Sequence, residues 1–137
     1  MSTVCYRYPQ GVICLISVLS FHNITTQIPH EISVPIPRGT RKPKTDWPPI
    51  KVHYFSRDFY FLGIEEHIID GVTMKIYDPE KTLTDCFRFR NQIGLDVAIE
   101  ATKLYKERMK IDLVKLTQYT RLCKMEKVMQ PYLEAIV

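Results

Sequence analysis

Cys86 and His67 are the residues whose types would allow nucleophilic chemistry. A thiol acts as a nucleophile when an imidazole takes its proton and a carboxylate orients that imidazole. Nothing in the spacing of Cys86 and His67 brings them together. Cys86 falls with Leu83 and Phe87 on one apolar stripe at helical spacing, so its expected role is packing. Asp85, next to it, is read as a satisfied structural carboxylate. A metal-dependent nuclease would place an acid two residues before a lysine on a strand. Lys75 has the strand, but Thr73 holds the place of the acid; Glu80 and Lys81 are adjacent and helical. His22, His30, His53 and His67 share no ligand spacing. Cys5, Cys14, Cys86 and Cys123 form no C-x-x-C clip. Five scattered glycines make no phosphate loop. The expectation is a chain without catalysis, cofactor or metal.

Two basic features remain. Arg38, Arg41, Lys42 and Lys44 lie in a loop broken by Gly39 and Pro43. Such a loop can grip phosphates, which makes these four residues candidates for nucleic-acid binding. A solvated loop is the simpler reading. Arg88 and Arg90 close the helix that carries Cys86. They are candidates for the same role, although cations are favoured at any helix C-terminus by its dipole.

The elements that must position these residues centre on 64–90. Asp70-Gly71 between two β-rich runs reads as a two-residue hairpin turn, since both residues tolerate positive φ. The second strand is expected over 72–77, with Val72, Met74 and Ile76 on its buried face. Asp78 then suits the N-cap and Pro79 the first position of a helix over 79–90.

Upstream, Pro9 opens an expected helix over 10–22, apolar nearly all round and closed by Asn23. A strand over 32–36 contains Pro35 and belongs at an edge. A second strand over 50–55 puts Ile50, Val52 and Tyr54 on one face. Ser56 is expected to cap a helical turn over 57–62, ended by Gly63. Downstream, a helix over 95–109 lines up Leu95, Ala98, Ile99, Thr102 and Tyr105. Asp112 caps another, with Leu113, Leu116, Tyr119 and Leu122. The last, over 125–136, contains Pro131, which kinks or restarts it. The order indicates an α+β fold: a small, mostly antiparallel sheet with a buried N-terminal helix and a C-terminal group of helices packed on it.

A chain of 137 residues, 45% hydrophobic and 25% charged, suits one soluble domain rather than a disordered segment. The net charge of +4 permits a nucleic-acid partner without demanding one. It is unevenly spread: residues 101–137 hold eight Lys and Arg against four Asp and Glu. Residues 12–21 are too few to span a bilayer, and neither a strong basic start nor a small-residue cleavage site marks a signal peptide. The expected setting is the reducing cytoplasm, with no membrane partner. The apolar run over 12–21 is either enclosed on all sides or leaves a face for self-association as a homodimer.

Several spaced stretches resemble the C-terminal domain of AbiEi-type antitoxins. They are YPQGVICLISVLSFH at 8–22, TTQIPH at 25–30, IPRG at 36–39, YDPEKTLTDCF at 77–87, NQIGLDVA at 91–98 and MQPYLE at 129–134. The resemblance divides the chain into 1–8, an N-terminal remnant or linker, and 9–137, the shared domain. It implies a bacterial type IV toxin–antitoxin system with roles in abortive infection and phage defence. In that family the C-terminal domain counteracts a nucleotidyltransferase-like toxin without a stable complex. An N-terminal winged helix-turn-helix there binds DNA and represses the operon as a transcriptional regulator. Residues 1–8 are too few to form that winged helix, so autorepression is not expected of this chain alone.

Overall fold

The protein's structure, a computed structural model, describes residues 12–40 and 49–136. Its elements run β1 (Val12–Ile13), α1 (Leu15–Phe21), β2 (Ile32–Pro37), β3 (Ile50–Phe55), α2 (Arg57–Tyr60), β4 (Ile64–Ile69) and β5 (Val72–Tyr77). The helices α3 (Pro79–Arg88), α4 (Arg90–Ile93), α5 (Leu95–Arg108), α6 (Leu113–Leu122) and α7 (Glu126–Ile136) complete the chain. This is the expected α+β class, with the helices concentrated in the C-terminal half. None of the described helices is long and apolar enough to cross a membrane.

The hairpin forms as its turn chemistry requires. Asp70 and Gly71 both take positive φ, 52° and 76°, and β4 pairs antiparallel with β5 from Ile64↔Tyr77 to Ile69↔Val72. Met74 and Ile76 are buried on the expected face.

The sheet is not mostly antiparallel. It divides into β1-β5-β4 and a separate pair β2-β3, and both β1-β5 and β2-β3 are parallel. A parallel pair needs a crossover of about a dozen residues instead of a tight turn. The basic, proline-rich stretch between β2 and β3 has that length. Pro35 meets no conflict there, because β2 has a single ladder partner among the described residues.

The expected helix over 10–22 starts later. Val12 and Ile13 are extended and pair with Lys75 and Ile76 on the edge of β5 that β4 leaves open. A short apolar run fits a buried strand as well as a buried helix, and here the open sheet edge decides. The helix ends as expected at Asn23, whose φ is 59°. Ile24 N–H donates to Leu19 O (2.9 Å) and Asn23 N–H to Ser20 O (3.1 Å), the paired bonds of a Schellman cap.

This segment is apolar all round because it separates two cores. Val12, Cys14, Leu15 and Leu19 join the main core with Phe55, Tyr77, Leu83, Phe87, Ala98, Tyr105 and Met129. Ile13 and Val18 face the other way, into a smaller core with Val34, Met74 and Ile76. Most of the segment is therefore buried, with Ile16 and Phe21 partly covered and Ser20 exposed.

Details of β3, α2 and α7 go beyond the sequence pattern. On β3 the buried side chains are His53 and Phe55, while Tyr54 is half exposed. Phe55, on the face opposite Ile50, Val52 and Tyr54, stacks with Tyr77 (5.8 Å) and Phe89 (5.1 Å). Ser56 precedes α2, but its hydroxyl makes no capping bond, and α2 stops at Tyr60. Pro131 does not restart the last helix; α7 is continuous through it.

Asp78 is the N-cap of α3: its Oδ1 accepts from Lys81 N–H at 2.7 Å, and Pro79 is the first helical residue. Its Oδ2 accepts from the Tyr119 hydroxyl (2.6 Å) and lies 3.1 Å from Lys115 Nζ. One buried carboxylate thus caps α3 and ties it to α6. A cap is worth about 1 kcal/mol, and hydrogen bonds to a charged group about 1.5–3 kcal/mol. Asp78→Ala should therefore cost about 2–4 kcal/mol in urea unfolding, with Asp78→Asn recovering part of it. An unchanged urea midpoint for Asp78→Ala would show that this carboxylate does not hold the two helices.

Candidate functional site

Helix α3 was expected to bury one stripe. It buries every side. Leu83, Cys86 and Phe87 are fully enclosed, and so are Lys81, Thr82, Thr84 and Asp85 on the remaining faces. Lys81 Nζ lies 2.7 Å from Asp85 Oδ2 with both side chains wholly inaccessible. The same ammonium sits 4.1 Å from the Tyr77 ring centroid and 5.1 Å from that of Phe55. The carboxylate and two aromatic faces together stand in for the water that the lysine has lost. Arg88 Nη2 approaches the other Asp85 oxygen at 3.6 Å, too far for a hydrogen bond. Burial pushes the Asp85 carboxyl up, and Lys81 and Arg88 oppose that shift.

A second polar cluster joins α3 to α5 and α6. The Tyr105 hydroxyl donates to Glu80 Oε2 at 2.8 Å and accepts from Asp112 N–H at 2.9 Å. Asp112 in turn caps α6 through Lys115 N–H. The charged residues of 77–87 are therefore committed to one another and to neighbouring helices.

The nucleophile–base pair is not assembled. His67 packs beside Phe21 and His22 on the hairpin side, whereas Cys86 is sealed in the main core with its thiol pKa pushed well up by burial. Cys14 and Cys123 are buried as expected; Cys5 lies outside the described residues. No group of three or more His, Cys, Asp and Glu side chains is placed to share a metal ion among the described residues.

Two of the six basic candidates do converge. Arg38 and Arg88 line one open pocket of about 490 Å³, together with Val52, His53, Tyr54, Ser56, Phe59, Phe89 and Gln92. Arg38 is held at the rim by its backbone. Its N–H donates to Phe55 O (2.9 Å), and a turn closes behind it where Thr40 N–H meets Pro37 O and Gly39 takes φ 86°. Arg88, at the end of α3, spreads its guanidinium over Phe59 (4.5 Å), Phe55 (4.9 Å) and Phe89 (5.1 Å). Its Nε is buried without a hydrogen-bond partner among the described residues. His53 Nδ1 is 3.3 Å from Gln92 Oε1, and burial lowers the pKa of that imidazole, so it is neutral at pH 7.

Arg90 does not join the pocket. Its guanidinium donates to Phe87 O at 2.8 Å, the structural role of a cation at a helix end. Arg41, Lys42 and Lys44 lie outside the described residues. Sequence reasoning missed His53, Gln92, Tyr54 and Phe59. Tyr54 was grouped with Ile50 and Val52 on one face of β3 without a role in binding, and the others approach Arg88 through pairings that no local signal encodes.

No family model matches the chain, and no curated protein matches it.

Glu80 gives the buried network a pH signature. Burial raises its pKa above the ordinary 4.5, the Tyr105 hydroxyl lowers it and Asp78 raises it further, with Lys115 nearby opposing. A carboxyl raised in the folded state binds its proton more tightly there than in the unfolded chain. The associated stability is present below the unfolded pKa and is lost as pH rises through the folded one. Urea midpoints of wild type relative to Glu80→Gln should therefore fall as pH increases from about 4 to about 7. A relative midpoint that rises over this range would mean the carboxylate form is the one the fold prefers.

Proposed function

We propose that this chain is a non-catalytic regulatory domain of the antitoxin type from a bacterial type IV toxin–antitoxin system. It acts in the cytoplasm against a nucleotidyltransferase-like toxin without forming a stable complex with it. The observation that carries this is where the resembling stretches lie. From 8–22 come Val12, Leu15 and Leu19; from 77–87, Tyr77, Leu83, Cys86 and Phe87; from 91–98, Val97 and Ala98; and from 129–134, Met129. All of them line the main core, and Tyr132 brings its ring to 5.3 Å from Phe87. Separated stretches that build one core are what a shared fold would keep in common, and this supports the family reading over chance likeness. In the same reading the charges of 77–87 serve the fold.

Co-expression with the toxin encoded in a neighbouring reading frame should restore growth, and the two proteins should not co-purify. Asp78→Ala should weaken the rescue as it lowers the stability of the fold. Continued growth arrest with wild-type protein well expressed would contradict this function.

A nucleic-acid-binding module is the second reading, favoured by the convergence of Arg38 and Arg88 and by the basic C-terminal third. It predicts a mobility shift with DNA or RNA that weakens steeply as salt is raised. Absence of any shift at low salt would remove it.

A further inference from the structure

The pocket between α2, α3, α4 and β3 has a charge imbalance among the described residues. Beside the pocket Lys81 and Arg88 share the Asp85 carboxylate, and Arg38 adds a further cation to the lining with no ion-pair partner among the described residues. Lys81 takes that carboxylate at 2.7 Å, which leaves Arg88 with a long contact of 3.6 Å. None of the lining residues is acidic. Two guanidinium side chains thus belong to residues that line one cavity, Arg88 Nε has no hydrogen-bond partner among the described residues, and a phosphate carrying about −1.5 to −2 charge would answer both cations.

The rest of the wall is too large and too aromatic for phosphate alone. A cavity of about 490 Å³ is in the range that holds a drug-sized ligand. Tyr54 is 51% exposed and shares the lining with Phe59. Aromatic faces beside a phosphate-binding group suit a nucleobase, since every base has a π-face. Ser56 and Gln92 add hydroxyl and amide groups at the wall.

From this geometry we infer that the pocket binds a nucleoside monophosphate, with the phosphate between Arg38 and Arg88 and the base against Tyr54 and Phe59. The site goes beyond toxin antagonism and does not depend on it. It is also narrower than the nucleic-acid reading, because it takes one nucleotide and needs no strand.

Calorimetric titration of the whole chain tests this, with AMP as the probe and inorganic phosphate, adenosine and a short oligothymidine for comparison. AMP should bind at micromolar to millimolar concentration, and phosphate and adenosine each about tenfold or more weaker. Arg38→Ala should weaken AMP by about tenfold or more with an unchanged urea midpoint, because Arg38 is exposed at the rim. Tyr54→Ala should weaken AMP and leave phosphate binding as it was. Arg88→Lys should weaken AMP as well; if that variant does not fold, Arg38→Ala decides. The inference is overturned if AMP does not bind at millimolar concentration, or binds no better than phosphate. It is equally overturned if Arg38→Ala binds AMP like wild type, or if the oligonucleotide binds and AMP does not. Because no toxin is present, failure here leaves the growth-rescue result untouched.

Discussion

A buried lysine sets the terms for this fold. Lys81 has no access to water, and its ammonium is met by Asp85 one helical turn on and by the rings of Tyr77 and Phe55. Desolvating two charges costs several kcal/mol each, and close, well-formed contacts must offset that cost. The consequences spread through the packing. Gly63 has to be glycine: its φ is 79°, and a Cβ there would come within 2.7 Å of Lys81 Cβ. β5 must deliver Tyr77 directly before the helix, β3 must turn Phe55 inward, and α3 must be covered on all sides. Asp78 at the cap and Glu80 in the first turn then bind α6 and α5 to the same helix.

How much of this could be read in advance follows the reach of each interaction. The Asp70-Gly71 turn, the Asp78-Pro79 helix start, the Asn23 terminus and the Asp112 cap are all decided within a few residues, and local chemistry marks them plainly. The parallel pairings of β1 with β5 and β2 with β3 depend on partners far along the chain. A two-residue strand at 12–13 is indistinguishable in composition from the helix that follows it. The apolar run was legible as either enclosed or offering a face to a partner; only the packing reveals that it divides two cores. The total burial of α3 was least legible, because Lys81, Asp85, Thr82 and Thr84 on a helix suggest a solvated face, and their i,i+4 pairing is as common on surfaces as inside.

The candidate pocket lies between these extremes. Arg38 and Arg88 stand out as cations in suggestive places, yet fifty positions separate them in the chain. What joins them is the backbone bond from Arg38 to Phe55 and the stacking of Arg88 on that same ring. Phe55 thus links the pocket to the packing around Lys81. Lys81, beside the same ring, takes the Asp85 carboxylate at 2.7 Å. Arg88 is left with a contact of 3.6 Å to that carboxylate and with three aromatic rings around its guanidinium.

The most direct test of the buried pair as the organising interaction is a double-mutant cycle on Lys81 and Asp85, followed by urea unfolding. Asp85→Leu should cost about 3–5 kcal/mol, since it leaves the Lys81 ammonium buried without its carboxylate, and Lys81→Met somewhat less, since Arg88 still approaches Asp85 at 3.6 Å. The double variant should regain most of that loss, giving a coupling energy far above that of a surface pair, about 0–1 kcal/mol. Single variants within about 0.5 kcal/mol of wild type, or losses that simply add, would contradict the account.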